Sequence, residues 1–288
     1  METYNDIYLR VRKTLKNAGI ESSEFEAKLI VSYCAGKSRE EMLAIGKIFA
    51  TDPHIKKKIE ESLERRLNGE PLAYVLGEWE FYGLPLIVNS NVLIPRMDTE
   101  LLAQETINLL KRKVWQTRML DLCCGSGCIG LAVAANVPSS RIVMIDSSEE
   151  ALAVCRQNMI KTNLSRHITA MDADILTKPP AILGEFDVIA SNPPYIPTGD
   201  IPALDKSVKD YEPQIALDGG EDGLDYFHAI AQNWKKLLKK GGHVAFECGI
   251  DQAAAVRYIL KQNGFSDIKT YKDTLGIERV ITGLNVKN

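Results

Sequence analysis

The chain has 288 residues, of which 45% are hydrophobic and 25% charged, a composition typical of globular proteins and unlike that of disordered or fibrous chains. Its net charge of −3 disfavours a protein that binds duplex phosphate, which usually carries a basic excess. The apolar stretches fall far short of the roughly 20 residues that span a bilayer, and the N-terminus shows no signal peptide. We therefore expect a cytoplasmic protein of about two domains.

The first part of the chain, residues 1–76, has the pattern of a small helical bundle. An apolar stripe at helical spacing begins at Tyr4 and is stopped by Gly19. Three further helices are predicted from capping signals, namely Ser23 with Glu26, Ser38 with Glu41, and Asp52 followed by Pro53. We assign this region as an N-terminal helical domain.

The pattern changes after residue 76. Residues 77–98 contain two short predicted strands around a glycine turn, and we assign them as a β-hairpin linker. Strands and helices then alternate over residues 99–288, which predicts an α/β fold with a mostly parallel sheet covered on both faces. A long helix is predicted over Asp222–Lys240, and the segment between Ile196 and Gly223 is irregular enough to predict a lid or a disordered loop.

The segment from Asp121 to Gly130 follows the first strand of this region and begins a helix. Its Gly125, Gly127 and Gly130 match the dinucleotide-binding fingerprint. Asp146 ends the next strand, 21 residues after Gly125, where a carboxylate would bind ribose hydroxyls. The pattern predicts a site for a nucleoside cofactor without choosing which one. The alternative is a tight turn that only packs a helix against a strand.

Asp121 favours S-adenosylmethionine over NAD as that cofactor. A carboxylate attracts the sulfonium and ammonium of S-adenosylmethionine, whereas the pyrophosphate of NAD needs helix amides and no nearby acid. The alternative role for Asp121 is to cap the glycine turn. At the end of the third strand, Asp174 and Ile175 are preferred over Asp172 as contacts for the adenine ring, and a loop cap is the alternative there.

Asn192-Pro193-Pro194-Tyr195 directly follows the apolar predicted strand Phe186–Ser191. The two prolines fix the backbone and remove two amide donors, which leaves carbonyl groups pointing outward. The carbonyls of Asn192 and Pro193 could accept both protons of a planar –NH2 group, while the Tyr195 ring covers its flat face. Because the first and fourth strands flank the switch point of such a sheet, we expect this clamp to face the glycine turn across one crevice. The alternative is a turn merely stiffened by proline.

The glycine turn and the Asn-Pro-Pro-Tyr sequence together resemble the class I S-adenosylmethionine-dependent amino-methyltransferases. Further stretches narrow the resemblance to the HemK/PrmC family, which methylates the side-chain amide of the glutamine in the Gly-Gly-Gln loop of class I peptide chain release factors. The resemblance covers essentially the whole chain. These stretches are Gly69–Gly77, Leu93–Arg96 with Thr99-Glu100, Tyr211–Pro213 with Ala216–Gly220 and Asp222–Leu224, and Gly241-Gly242 with Glu247 and Gly249.

The resemblance implies a Rossmann-like class I methyltransferase sheet over residues 99–288, S-adenosyl-L-methionine as cofactor and a class I release factor as partner. It also implies that residues 1–76 recognise the substrate. The implied cofactor contacts, to which Asp121 and Asp174 are added from the residues themselves, are Cys123, Cys124, Gly125, Ser126, Gly127, Asp146, Ile175 and Asn192. The implied substrate contacts are Asn192, Pro193, Pro194 and Tyr195, of which Asn192, Pro193 and Tyr195 would be catalytic.

The sequence departs from the family pattern at two places. Cys123 stands where the family usually has glycine, and Met97-Asp98 stands where it has Pro-Glu. Because cysteine is small, we expect the turn to survive with a negative φ at residue 123. The spacing of the six cysteines and four histidines fits neither a metal site nor a disulfide framework. We expect a monomer without a metal, without a membrane partner and without direct sequence-specific binding to nucleic acid.

The predicted reaction is an in-line displacement of the sulfonium methyl by the glutamine amide nitrogen. The Asn192 and Pro193 carbonyls would hold both N–H bonds, and no general base is required; Glu247 is predicted to make a strand-end hydrogen bond. The nearest alternative is another amino-methyltransferase with the same clamp, acting on a ribosomal-protein glutamine, DNA adenine or ribosomal RNA guanine. A nicotinamide oxidoreductase and a non-enzymatic adaptor are alternatives from other classes.

Overall fold

The protein is described by a computed structural model that covers residues 2–113 and 116–286. The chain divides into two compact units. The first runs from the N-terminus to Gly77 and includes Lys206–Tyr211, and the second comprises Glu78–Asp205 and the chain from Glu212 onward. None of the helices that the structure describes has the length and hydropathy needed to cross a membrane.

The first unit is helical, as its sequence predicts. Its buried side chains include Ile7 and Val11 of the predicted apolar stripe. Its helices are α1 (Tyr4–Asn17), α2 (Ser23–Ala35), α3 (Arg39–Ile45), α4 (Pro53–Leu67), α5 (Leu72–Leu76) and the four-residue helix Lys206–Lys209.

The predicted caps of these helices have different outcomes. Ser38 and Glu41 form the predicted capping box, and Asp52 accepts a hydrogen bond from the amide of His54 at the start of α4. The capping box predicted at Ser23 is wrong, because α2 already includes that residue. Glu26 instead accepts a hydrogen bond from the hydroxyl of Ser22, the N-cap residue, at 2.8 Å, and it forms an ion pair with Arg66, whose Nε lies 2.6 Å from Glu26 Oε2.

The second unit is built on a seven-stranded sheet, which confirms the predicted α/β fold. The strand order is β5-β4-β3-β6-β7-β9-β8; the first five strands of this order are parallel, and β9 and β8 join antiparallel. These strands are β3 (Arg118–Leu122), β4 (Arg141–Asp146), β5 (Ile168–Asp172), β6 (Phe186–Ser191), β7 (Leu238–Glu247), β8 (Phe265–Lys272) and β9 (Glu278–Asn285).

Helices cover both faces of this sheet, so its central strands are buried. One hydrophobic cluster contains side chains of α6 (Thr99–Lys111), α7 (Cys128–Asn136) and α8 (Glu149–Lys161). The cluster that includes Trp234 contains side chains of the helices Asp225–Ala229 and Ala253–Gln262. Every residue of β6 is buried, as expected for a strand between two layers of helices.

A β-hairpin of β1 (Glu78–Phe81) and β2 (Leu84–Ile87) begins the second unit and packs against α8. Asn158 of α8 accepts a hydrogen bond from the Ile87 amide at 2.6 Å and donates one to the Ile87 carbonyl at 3.0 Å. Glu100 accepts from the Tyr82 amide at the hairpin turn, at 2.8 Å. The side chain of Glu100 therefore fixes the turn, a role that the sequence does not reveal.

The long helix predicted over Asp222–Lys240 is confirmed in most of its length, but it ends earlier than predicted. A continuous helical segment consists of an α-helix at Asp225–Ala229, a π turn at Ile230–Trp234 and a 3-10 turn at Lys235–Leu237, and β7 begins at Leu238. Leu238 pairs with Phe186 of β6, so sheet pairing overrides the helical pattern in the last three residues of the predicted helix.

The segment between Ile196 and Gly223 is held by a bridge between its two ends and by contacts with an earlier part of the chain. Ile196 and Asp218 form an isolated parallel bridge. The buried Glu212 side chain accepts a hydrogen bond from the Ile94 amide at 3.1 Å and forms an ion pair with Arg96. This segment is therefore folded onto the residues that precede α6, and Arg96 is one of its anchors.

Candidate active site

A cleft of about 780 Å³, counted with its open mouth, lies at the carboxyl ends of β3, β4 and β6. This is the edge of an open α/β sheet at which ligands usually bind. Its walls come from the glycine turn after β3, the residues after β4 and β6, and the segment that contains Glu212. Among its lining residues are Cys123, Cys124, Gly125, Ser126, Cys128, Asp146, Ile175, Asn192, Pro194 and Tyr226.

The glycines of the turn after β3 serve two different purposes. A Cβ on Gly130 would lie 2.7 Å from Met144 Sδ, and one on Gly127 would lie 2.9 Å from Cys155 Sγ, so these two glycines allow α7 to pack closely. Gly125 has a φ of 51° and no neighbour near a Cβ position, so its backbone is open to the cleft. Gly127, a predicted cofactor contact, lies behind the lining.

Cys123 has a φ of 57°, so the expected negative φ is wrong. The turn nonetheless keeps its shape, because the next amide, that of Cys124, donates to the Ile145 carbonyl at 3.0 Å. A left-handed conformation costs a residue with a side chain about 1 kcal/mol. Burial raises the pKa of the Cys123 thiol, which keeps it protonated where it lines the cleft.

Asp146 lies at the cleft with both carboxylate oxygens engaged. Gly125 donates its amide to Oδ2 at 2.8 Å, and Ser148 donates to Oδ1 at 3.0 Å. Burial raises the pKa of Asp146, against the opposing effect of these amides. The carboxylate ties the glycine turn to the end of β4 and retains lone pairs that can accept from a ligand hydroxyl.

Asp121 lies beneath the turn and does not line the cleft. Its Oδ2 accepts a hydrogen bond from the Gly130 amide at 2.9 Å, and its fully buried Oδ1 has no partner among the described residues. Burial raises the pKa of Asp121 to about 7. The structure shows the capping role of Asp121, in which its carboxylate holds the first turn of α7.

Of the two predicted adenine contacts after β5, the structure places only one in the cleft. Ile175 is buried and lines the cleft, where it offers an apolar surface. Asp174 is exposed, lies outside the lining and accepts from the Leu176 amide at 2.9 Å, which is the loop cap kept as its alternative. The indole of Trp234 donates to the Ile175 carbonyl at 2.8 Å and fixes the backbone at this wall.

Asn192 and Pro194 line the same cleft as Cys123–Ser126, so the predicted crevice between the two turns exists. Asn192 donates from Nδ2 to Thr99 Oγ1 at 3.2 Å, and no described residue donates to its Oδ1. The amide oxygen is therefore left to accept from a ligand. Pro193 and Tyr195 do not line the cleft.

The backbone of Tyr195 is enclosed by three glycines on neighbouring segments. A Cβ on Gly219 would lie 2.7 Å from Tyr195 Cα, one on Gly223 would lie 2.2 Å from its carbonyl oxygen, and one on Gly249 would lie 3.2 Å from its ring. Gln252 donates from Nε2 to the same carbonyl at 2.8 Å. Burial raises the pKa of the Tyr195 hydroxyl, which is therefore neutral near pH 7.

Several residues at or beside the cleft were not among the predicted site residues, and three of them bear on its chemistry. Thr99 begins α6 and holds Asn192, and Tyr226 lines the cleft beside Ile175. Glu247 ends β7 next to the clamp, where burial raises its pKa to about 7. Thr99 and Glu247 belong to stretches that carry the family resemblance, whereas nothing in the local sequence marks Tyr226. Within the described residues, no group of three or more His, Cys, Asp or Glu side chains could hold a metal ion.

Comparison with known proteins gives consistent matches. A model described as the PrmC N-terminal domain matches residues 6–77, and one described as the methyltransferase small domain matches residues 97–203. A release factor glutamine methyltransferase of Clostridium botulinum is 36% identical over 280 residues, which cover 96% of this chain and 97% of the relative. One of Caulobacter vibrioides is 38% identical over 282 residues, which cover 95% of this chain and 93% of the relative.

A solved structure shares the fold of most of the chain. A methyltransferase of Pyrococcus furiosus aligns with a TM-score of 0.51 and 17% identity over 78% of this chain and 98% of that chain. At this identity the likeness shows the fold alone, which is the class I methyltransferase sheet with its flanking helices.

Proposed function

The chain belongs to the release factor glutamine methyltransferase family, and we propose that it methylates the side-chain amide nitrogen of the glutamine in the Gly-Gly-Gln loop of class I peptide chain release factors. The observation that carries this proposal is the single cleft lined by both Asn192 and the glycine turn. The acceptor for an amide N–H, Asn192, and the turn suited to bind a nucleoside therefore line the same cleft.

We propose S-adenosyl-L-methionine as the methyl donor, because the lining fits a nucleoside. Asp146 offers carboxylate oxygens suited to ribose hydroxyls, and Ile175 with Tyr226 offers flat or apolar surface suited to an adenine ring. The open backbone at Gly125 leaves room for a close approach. When bound, this cofactor supplies a methyl group on a positively charged sulfur.

In the mechanism that we propose, Asn192 acts on the nucleophile. The lone pair of an amide nitrogen is delocalised into its carbonyl. This delocalisation must be lost as the nitrogen forms the new bond to the methyl group. As positive charge grows on that nitrogen, its N–H bonds become stronger donors, and an acceptor at Asn192 Oδ1 stabilises the transition state more than the ground state. Holding the reacting groups in line can contribute on the order of 7–11 kcal/mol.

Pro193 and Tyr195 do not line the cleft, so the roles that we propose for them rest on the backbone. The Pro193 carbonyl would accept the second N–H, and Tyr195 would support the backbone that carries it, since Gln252 and the neighbouring glycines fix its position. No histidine lines the cleft within the described residues, which agrees with loss of the proton to water after methyl transfer.

We also propose that residues 1–76 recognise the release factor, that residues 77–98 link this domain to the methyltransferase domain over residues 99–288, and that the protein is a cytoplasmic monomer without a direct nucleic-acid target. The first unit exposes large apolar side chains, including Leu43, Ile48 and Phe49. Exposed apolar surface of this kind is typical of regions that bind other proteins.

The proposal is tested by incubating the purified chain with methyl-labelled S-adenosylmethionine and a class I release factor. We expect label in the release factor and none in the matched variant whose Gly-Gly-Gln glutamine is replaced by alanine. Ribosomal protein, DNA and ribosomal RNA serve as competing acceptors in the same assay. Labelling of one of these in preference to the release factor, or a cofactor titration in which NAD binds and S-adenosylmethionine does not, would contradict the proposal.

A further inference from the structure

A buried carboxyl group lies beside Asn192 at the end of the neighbouring strand. β6 and β7 are parallel with Ser191 opposite Phe246, so the residues that follow, Asn192 and Glu247, are neighbours in register. Glu247 is 2% exposed, and its Oε2 has no hydrogen-bond partner among the described residues. Leaving a carboxyl oxygen unpaired in the core costs free energy, so its presence beside the clamp needs a reason.

Thr99 connects this carboxyl group to the clamp. Its hydroxyl oxygen accepts the hydrogen bond from Asn192 Nδ2 and keeps its own proton to donate. Burial raises the pKa of Glu247 to about 7, while hydrogen bonding from the Thr99 and Asn192 side chains opposes this rise. The Thr99 hydroxyl proton and the second N–H bond of the Asn192 amide are thus both available to the Glu247 carboxylate, which is the neighbour of Asn192 in strand register.

We propose that Glu247 is a positioning residue that, together with Thr99, holds the two N–H bonds of the Asn192 amide and so turns Asn192 Oδ1 toward the cleft. A side-chain amide carries donors on nitrogen and an acceptor on oxygen, and a rotation about its last bond exchanges them. The substrate amide offers N–H groups to the clamp, so the exchanged orientation would present donors to donors. A carboxylate accepts and cannot donate, and it therefore selects the productive orientation.

This inference rests on the proposed function and explains why the carboxyl group tolerates burial. Arg279 of β9 favours its ionised form, while Asp98, just before α6, opposes it. Arg279 Nη2 lies 3.4 Å from Asp98 Oδ2 and its Nε lies 3.3 Å from Asp273 Oδ2, so its charge is shared. The other titratable groups that face the carboxyl are Tyr195 after β6, Cys128 at the start of α7 and Cys248 directly after β7.

Glu247→Gln is the direct test, because glutamine keeps the volume and can turn an N–H toward Asn192. We expect kcat for release-factor methylation to fall about 10–100-fold while the Kd for S-adenosylmethionine changes less than about twofold. The rise of kcat with pH near 7, as the carboxyl ionises, should disappear in this variant. Glu278→Gln, a partly exposed glutamate of β9, is the matched control and should behave as the wild type.

Two further variants separate positioning from folding. Thr99→Val should lose turnover as Glu247→Gln does, and Thr99→Ser, which keeps the hydroxyl, should restore it. In an Asn192→Ala background, Glu247→Gln should cause no additional loss, because residues that act as a unit are not additive. A Glu247→Gln variant with kcat within twofold of the wild type, or one with an equal loss in both backgrounds, would overturn the proposal.

A readout without release factor keeps this inference separate from the proposed function. The side-chain NH2 signal of Asn192 can be assigned in ¹H–¹⁵N spectra by its absence from Asn192→Ala. We expect slow hydrogen exchange of this group in the wild type and fast exchange in Glu247→Gln; equal exchange in both would refute the positioning role. A wild-type chain that fails to methylate release factor contradicts the proposed function, whereas the exchange result still decides the role of Glu247.

Discussion

The two turns that face each other across the cleft are built in opposite ways. The turn after β3 gains its shape from its own backbone, with positive φ at Cys123, Gly125 and Gly127. The turn after β6 is stiffened by prolines, and the glycines that it needs lie elsewhere, at Gly219 and Gly223. One turn therefore exposes its backbone to the cleft, and the other is held rigid by the segments around it.

This difference follows from what each turn must offer. A nucleoside needs close approach to backbone, which the open glycine at position 125 allows. A substrate amide needs an acceptor held in one place, which a rigid turn provides. The comparison predicts that changes in the turn after β6 affect turnover, whereas changes in the turn after β3 affect stability and cofactor binding.

The largest effect is expected from Asn192→Ala. Removal of the side-chain amide oxygen of the clamp should lower kcat about 10³-fold, because it removes an acceptor that is needed most in the transition state. The Kd for S-adenosylmethionine, measured by calorimetry, should change by less than about threefold. The two-turn comparison fails if turnover stays near the wild-type level, or if the loss lies wholly in cofactor affinity.

The next largest effect is expected on the pH dependence of stability, through Asp121 beneath the glycine turn. Asp121 has a pKa of about 7 in the folded protein, above its ordinary value of 3.8, so the unfolded chain releases this proton at lower pH. The free energy of unfolding therefore falls as pH rises from about 4 to about 7, by up to about 4 kcal/mol. Asp121→Asn cannot ionise, and its free energy of unfolding relative to the wild type should rise across this window.

Denaturant unfolding at pH 5 and pH 8 measures this difference. Asp200→Asn, at an exposed position, provides the control and should leave the pH dependence of the wild type unchanged. If Asp121→Asn and the wild type show parallel stability between these pH values, the carboxyl group does not titrate there, and its support of α7 is independent of charge.

The strands and both turns were predictable because local patterns encode them. The run Phe186–Ser191, followed at once by Asn192 and two prolines, forms the predicted strand, and all of it is buried. The end of the predicted helix, residues 238–240, was mispredicted because its leucine and lysines continue a helical pattern, and pairing with β6 makes a strand of it. Local propensity is a weak signal wherever a long-range partner exists.

The candidate site was predictable only where its chemistry is local. Asn192 and Asp146 belong to recognisable turns, and both line the cleft. Tyr226 reaches the same cleft from a helix 34 residues beyond Asn192, and no pattern around it indicates that approach. The φ of Cys123 was mispredicted because the turn, fixed by neighbouring hydrogen bonds, imposes a conformation that cysteine alone disfavours.

The support of the second turn by distant glycines can be tested at Gly223. A Cβ there would lie 2.2 Å from the Tyr195 carbonyl oxygen, and φ is 74°, so Gly223→Ala should destabilise the fold by about 2–3 kcal/mol and lower kcat. Gly276→Ala is the matched control, since its φ of 82° is similar but nothing lies near its Cβ position; we expect a loss of about 1 kcal/mol. Thermal unfolding and turnover of both variants give the comparison, and equal losses would show that backbone strain alone is responsible.

The smallest effect is expected at Cys123, which stands in the left-handed conformation within the turn that otherwise uses glycine. Cys123→Gly should relieve about 1–2 kcal/mol of strain, but the added freedom of the unfolded chain offsets part of it. The net gain should be about 0.5–1 kcal/mol, visible as a small rise in Tm, with kcat unchanged because the thiol takes no part in holding the substrate amide. A fall in kcat without a change in Tm would instead place the Cys123 side chain among the groups that contact the reactants, and the division of labour between the two turns would no longer hold.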